Sequence, residues 1–387
     1  MFRAKFLPES FLGITPIAGY SPRNNSFIAN IWLEWMELTL GRKFLREYRI
    51  GKYFCDAFDL QTKIVYEFFG CYFHGCPICY SQENSIKKQL YEKVEEKLSC
   101  YMNLELKVVV IWECQFKSMM STNFVLLLFH DERITYYKKL RKYGGASMRE
   151  SFFGGRTNNI QFSYKVGANE SIEYKDVTSE YPFVLKNFLY PIGHPTIIRK
   201  DFDLTLKSYF GFVKCRILPP NNLYLPVLPS KINKKLIFTL CRTCATENLQ
   251  SDCLHTIDQK CLIGTWTSVE LLKALEKGYS IIDIIEVFHY QKTSKTLFTD
   301  YINMWLKVKQ EASGWPGNVF TEGEKDEYIH RYLSKEGILL DKNSIEKNSG
   351  RRFIAKIMLN SFWGKLSQRP NLPKTIICKN YDNYWKI

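Results

Sequence analysis

Residues 351–369 read RRFIAKIMLNSFWGKLSQR, and their spacing sets basic and polar side chains on one helical face. Arg352, Lys356 and Asn360 recur at i, i+4 and i+8, so they line up along a helix. Ile357, Met358 and Phe362 are left to pack on the other side, and Gly364 is expected to end the helix. Alone, this pattern describes a cationic amphipathic helix whose exposed row suits phosphates. A second stretch, DVTSEYP at 176–182, follows the polar, partly alternating SIEYKD, which reads as a strand entering a turn. A carboxylate at such a strand end suits Mg²⁺, which keeps several waters and takes one or two protein carboxylates plus substrate phosphates.

Together the two stretches resemble a known pair. Asp176, Ser179, Tyr181 and Pro182 follow motif A of the family B DNA polymerases, D-x-x-S-L-Y-P, with Glu180 in place of Leu. Lys356, Asn360, Ser361 and Gly364 follow motif B, K-x-x-x-N-S-x-Y-G, with Trp363 in place of Tyr. The chain is most similar to the protein-primed branch carried by viruses and by self-synthesising transposons of the Polinton (Maverick) type. The resemblance implies that Asp176 binds catalytic Mg²⁺ (or Mn²⁺) and that Tyr181 lies under the deoxyribose and excludes a 2′-hydroxyl. It implies that Arg352 and Lys356 hold the incoming triphosphate, by fork and by point charge. Lys309, in LKVKQEASGWP, matches a further phosphate-binding lysine; Asn360 and Trp363 flank the nascent base pair, and Gly364 belongs to the same nucleotide-binding set. Primer–template DNA and dNTPs are the implied partners, with a terminal protein beside them.

The family draws its second metal-binding carboxylate from a D-T-D hairpin after motif B. No such triplet lies between Gly364 and Ile387, where Asp382 has an Asn neighbour. A two-metal mechanism with one anchoring carboxylate is crippled, so the sequence is expected to be a fragment or a degraded copy that does not extend a primer alone. The D-x-E motifs of the family's proofreading exonuclease are also not visible.

Composition fits a polyanion partner: 54 Lys and Arg against 39 Asp and Glu give a net charge of +15. Ribosome-associated and membrane-surface proteins share that balance. The 387 residues, 45% hydrophobic, allow packed cores in two or three domains. No apolar run reaches membrane-spanning length, so no membrane partner is expected; the longest, 124–129, reads as a buried strand or helix piece. The start, MFRAKFLPESFLGITPIAGY, has no clear signal-peptide core. An intracellular protein is expected, in a nucleus or a virus-like particle.

Twelve cysteines without a secretory signal argue for reduced thiols and metal sites. In the first cluster a strand, KIVYEFF, runs into GCYFHGCPIC, a helical charged segment follows over about 82–100, and a second strand, LKVVVIW, delivers Glu113 and Cys114. Cys71, Cys76, Cys79 and Cys114 can close a tetrahedral Zn²⁺ site. This part, about 53–117, resembles the very-short-patch-repair endonucleases, whose G-C-F-W-H-G-x-x-C loop and later W-E-C hold a structural zinc. That resemblance implies nuclease roles for Asp56, with Asp59 as a rival, for Glu67 and for His74. Phe68 stands where those enzymes use a threonine, and no lysine lies near Glu67 in the sequence. Both departures weigh against cleavage and leave a DNA-positioning role open. In the second cluster, Cys241, Cys244, Cys253 and His255 have the spacing of a zinc knuckle, with Cys261 as a spare ligand and free thiols as the alternative.

The expected architecture is a mixed α/β and α+β multidomain chain: a restriction-endonuclease-like N-terminal unit, then a partial family B palm with an insertion and fingers. Its segments are a leader (1–25), the endonuclease-like zinc module (26–135), a basic linker (136–159), the palm part with motif A (160–200), the insertion with the second cluster (201–295) and the fingers with motif B (296–387). Gly154, Gly155 and Arg156 resemble the Y-x-G-G loop with which protein-primed polymerases hold single-stranded template; a plain linker reads equally well. The rival functions are a DNA-binding or DNA-nicking zinc protein that depends on Asp56, Glu67 and His74, a non-catalytic basic zinc protein, and an inactive transposon relic.

Overall fold

A computed structural model describes residues 5–7, 11–13, 15, 20, 26–81, 83–157, 159–177 and 179–367. Most of the 1–25 leader and the stretch containing Asp382 lie outside them. The described residues form two compact units, one from 15–151 and 195–289 and the other from 1–14, 152–194 and 290–387.

The first unit opens with helix α1 (Phe27–Leu40), which Ser26 caps by accepting from the Ala29 amide at 3.2 Å and which Gly41 ends in the left-handed conformation, φ 62°. Strands β1 (Leu45–Ile50), β2 (Tyr53–Asp59) and β3 (Ile64–Phe69) form an antiparallel meander. Strand β4 (Lys107–Trp112) lies parallel to β3, so the chain must cross over, and helix α2 (Ser85–Asn103) makes that crossing. Helices α3 (Glu113–Thr122) and α4 (Phe124–Tyr143) follow. Trp32 of α1, Tyr66 and Phe68 of β3, Phe116 of α3 and Leu126 and Tyr137 of α4 share one buried core.

The apolar run 124–129 is therefore the start of a helix, and it is not a buried piece. Leu126 is fully buried, whereas Phe124, Val125 and Leu128 are 71%, 65% and 54% exposed. A helix shows a sheet only one stripe, so a continuous apolar run overfills it. Residues 136–143, read as the start of a basic linker, continue α4.

A second sheet belongs to the same unit. Strands β5 (Thr196–Ile198), β6 (Gly211–Leu218), β7 (Leu262–Thr267) and β8 (Ser280–His289) pair antiparallel in the order β7-β6-β8-β5. Glu286, fully buried on β8, accepts from Tyr136 Oη at 2.8 Å and from the Ala146 amide at 2.9 Å. Arg199 lies 3.5 Å from both Glu286 and Glu34, and Tyr137 Oη donates to Glu34 at 2.8 Å. Paired in this way, the carboxylates pin α4 and α1 to the second sheet; unpaired, they would be costly.

The other unit is helical: α5 (Glu180–Asn187), α6 (Thr299–Glu311), α7 (Glu322–Glu336) and α8 (Ser349–Ser367). Leu185, Phe298, Tyr301, Ile302, Leu359 and Phe362 form its main core. Helix α8 buries Ala355, Leu359 and Phe362, at i, i+4 and i+7. Ile357, expected to pack, is 45% exposed, and Met358 is half-buried, its carbonyl accepting from Tyr301 Oη at 3.0 Å. Gly364 does not stop the helix, which runs on to Ser367. SIEYKD, expected as a strand, has no regular structure; Ile172 and Tyr174 are 67% and 94% exposed. A strand exists only through a ladder partner, and none pairs with it among the described residues. No helix among the described residues is long and apolar enough to cross a membrane.

Candidate nucleotide-binding and metal sites

In the helical unit three cations gather beside the turn that enters α5. Lys309, on the last turn of α6, donates to Ser179 Oγ at 3.4 Å. Arg352 Nε donates to Ser313 Oγ at 3.1 Å, and Ser313 Oγ donates to the Lys309 carbonyl at 2.7 Å, so α6 and α8 hold the two basic groups together. Burial lowers the Lys309 ammonium below the usual lysine range, and the positive charges of Arg352 and Lys356 lower it further. Like charge of this kind, with no ion pair to a carboxylate among the described residues, is the electrostatic mark of an anion site.

Lys356 and Asn360, one turn apart on α8, line an open groove of about 310 Å³ with Phe353, Ile357 and Ser361. The rings of Tyr181 and Trp363 stack with centroids 5.1 Å apart. Asp176 is exposed in the irregular segment before α5, and Thr178, beside Ser179, lies outside the described residues. Gly154, Gly155 and Arg156 lie in an irregular, exposed stretch; a Cβ on Gly155 would meet nothing within 4 Å.

Among the described residues, two cysteine-rich groups could hold a metal, both in the first unit. In one, the ligand atoms of Cys71, Cys76, Cys79 and Cys114 lie within 4.8 Å of one another, and Cys76 and Cys114 Sγ are 3.8 Å apart. In the other, His255 Nδ1 lies 3.5, 3.2 and 3.5 Å from the Sγ atoms of Cys241, Cys244 and Cys253. A zinc tetrahedron with its usual bond lengths has S–S edges of about 3.8 Å and S–N edges of about 3.6 Å, so both donor sets fit Zn²⁺. Cys261, the spare ligand, is buried outside the second group.

Asp56, Glu67 and His74 line one cavity in the first unit, and Lys97 of α2 lines it with them. Burial raises the Asp56 carboxyl and pushes Glu67 up to about 7, while it lowers the His74 imidazole. Asp59 plays a different part: it accepts from Thr62 Oγ1 at 2.6 Å, the Gln61 amide at 2.9 Å and Arg42 at 3.2 Å, and so fastens the β2–β3 turn. Sequence reasoning missed Lys97 and Ser313, and gave Ser179 a place in motif A but no partner. Lys97 had a signal, since Val94, Lys97, Leu98 and Tyr101 share the face of the crossover helix that must cover β3.

The family described as DNA polymerase type B, organellar and viral, matches residues 115–335. A "Probable DNA polymerase" of Neurospora intermedia is 26% identical over 236 residues, 57% of this chain and 18% of that protein. One of Podospora anserina is 29% identical over 168 residues, 43% of this chain and 12% of that protein. The matched part thus spans less than a fifth of these curated relatives. Among solved structures, Phi29 DNA polymerase complexed with primer-template DNA and incoming nucleotide substrates is 18% identical, with a TM-score of 0.27 over 49% of this chain and 25% of that one. Its orthorhombic crystal form, also 18% identical, gives 0.30 over 50% and 26%. Asp176, Tyr181, Lys309 and the Cys241–His255 group all fall inside a family match that takes in more than half of the residues, and the chain belongs to the organellar and viral type B DNA polymerases.

Proposed function

We propose that this chain carries the nucleotide-binding part of a DNA-directed DNA polymerase of the protein-primed kind, which adds dNTPs to a primer on a DNA template. The observation that carries the reading is the convergence of Lys309, Arg352 and Lys356 next to Ser179, a few residues after Asp176. A triphosphate supplies the negative charge these cations lack. Arg352 offers a planar fork to its oxygens, and Lys309 and Lys356 offer point charges. Tyr181, backed by Trp363, presents a flat ring to the sugar and leaves no room for a 2′-hydroxyl, and Asn360 faces the base pair. Mg²⁺ or Mn²⁺, held by Asp176 together with the nucleotide's phosphates and water, would neutralise charge at the transferred phosphoryl group.

In this reading residues 160–200 belong to the palm and 296–387 to the fingers. Residues 201–295 are an insertion that meets the terminal protein and DNA, its zinc keeping a loop rigid, and Gly154, Gly155 and Arg156 hold the template strand. The test is dNTP binding with Mg²⁺ and a primed template, comparing the chain with Lys356→Ala. Binding that the substitution weakens by about tenfold or more, roughly 1.4 kcal/mol, supports the reading; no binding by either protein sinks it.

A further inference from the structure

We infer that the hairpin of residues 229–238 is a contact for the phosphate backbone of duplex DNA, with Lys234 and Lys235 at its tip and its position fixed by the second cysteine group. The inference deepens the contact proposed above between the insertion and DNA, and it takes its ligand class, a DNA duplex, from that reading.

Strands Pro229–Ile232 and Lys235–Phe238 pair antiparallel with Ile232 opposite Lys235, so Asn233 and Lys234 alone make the turn. Both hold left-handed backbone, φ 50° and 64°, as a two-residue turn that follows the twist of its strands requires. Asparagine tolerates that conformation, whereas glycine suits the second place and lysine strains it. A strained residue that offers nothing to the turn itself points to a use for its side chain. Lys231, Asn233, Lys234 and Lys235 are the exposed residues of the hairpin. Residues 204–246 contain no Asp or Glu and seven Lys and Arg, of which Lys214 and Arg216 pair with Glu150 and Asp258. Lys234 and Lys235 have no ion pair among the described residues.

The hairpin is held from two sides. Trp266 Nε1, on β7, donates to the Pro229 carbonyl at 2.9 Å, a buried bond that fixes the base. Asn233 Nδ2 donates to the Thr246 carbonyl at 2.9 Å and so fixes the tip. Thr246 belongs to the short helix Arg242–Glu247, which Cys241 caps and which contains Cys244, so the tip is tied to the cysteine group. Cations placed in this way lose little freedom when they meet an anion. Lysine is a point charge that takes phosphate without reading a base. None of the exposed residues of the hairpin is aromatic, so nothing on it can stack on a base. Single-strand binding draws on such stacking, and a duplex backbone therefore fits the hairpin better.

The test measures binding of the full chain to a short DNA duplex of arbitrary sequence, by fluorescence anisotropy at several salt concentrations. Lys234→Gly is expected to weaken binding about fivefold at about 0.15 M salt and to reduce the slope of log affinity against log salt by about one, the effect of one phosphate contact. The same variant should melt at a higher temperature, because glycine relieves the turn, and a loss of binding then has no origin in misfolding. Lys234→Arg should keep the affinity. Asn233→Gly keeps the turn and every lysine but frees the tip from Thr246, and is expected to lose about twofold. Binding of dNTP, measured beside it, separates the two readings: duplex binding that falls in Lys234→Gly while no protein binds dNTP would uphold the hairpin contact and sink the nucleotide site. Affinity and slope unchanged in Lys234→Gly would overturn the inference, as would a Lys234→Gly chain that loses poly-glutamate and keeps the duplex, since the partner would then be an acidic protein.

Discussion

The rings of Tyr181 and Trp363 lie nearly parallel, with centroids 5.1 Å apart and planes inclined by 14°. Tyr181 stands at the start of α5 and Trp363 near the end of α8, so the stack ties the segment after Asp176 to the helix that carries Lys356. An aromatic pair contributes about 0.5–1.5 kcal/mol beyond its buried area. Trp363→Ala is expected to reduce discrimination between dNTP and rNTP binding by about two- to tenfold, and Trp363→Phe to preserve it. Equal discrimination in all three proteins would remove Trp363 from any role in holding Tyr181.

Lys309 is the second lever. Its ammonium lies below the usual value of 10.5 because burial, then Arg352 and Lys356, disfavour the charge. The folded state therefore binds this proton less tightly than the unfolded chain, so the charged lysine opposes folding, and that penalty fades as pH rises through the depressed value. A triphosphate restores the charged form, so dNTP binding should take up protons on the alkaline side, seen as a buffer-dependent binding enthalpy. Lys309→Met is expected to abolish this uptake and weaken dNTP binding while raising the melting temperature, the trade expected at a binding site.

Some of this geometry is legible in the sequence and some is not. The apolar runs KIVYEFF and LKVVVIW announce β3 and β4, and the charged stretch between them announces the crossover helix. The row Arg352, Lys356, Asn360 gives the exposed face of α8. Its buried face is harder to read, because Ala355 is chosen over Ile357 by the aromatic side chains facing α8: Tyr301 stacks on Phe362 at 4.3 Å and Phe298 meets it edge-on at 5.4 Å. SIEYKD shows the limit of local pattern, since a strand needs a partner that the pattern does not name. Lys97 lies thirty residues from Glu67, and only the parallel pairing of β3 with β4 brings them together.

Metal removal should separate the two cysteine groups. About two zinc ions per chain are expected by elemental analysis, with Cys76→Ser losing one and Cys241→Ser the other, each with a lowered melting temperature. The groups use different strands and loops, so the losses should be independent and additive in the double variant. Full zinc content in Cys241→Ser would show that Cys241, Cys244, Cys253 and His255 are a thiol cluster without metal.

The Glu286 network gives the sharpest stability prediction. Glu286 is fully buried and takes hydrogen bonds from Tyr136 and Ala146, with Arg199 3.5 Å away. Glu286→Ala leaves the mostly buried guanidinium of Arg199 with Glu34 at 3.5 Å as its remaining carboxylate among the described residues, and takes from the Tyr136 hydroxyl the acceptor at 2.8 Å. Removing one partner of a buried pair costs about 3–5 kcal/mol, so the variant should unfold at much lower denaturant. Because α4 is fastened to β8 through this carboxylate, the loss should appear in the whole first unit, read by hydrogen exchange in both β3 and β8. Weakening confined to β8 would mean that the two sheets fold separately and that the network only decorates their junction.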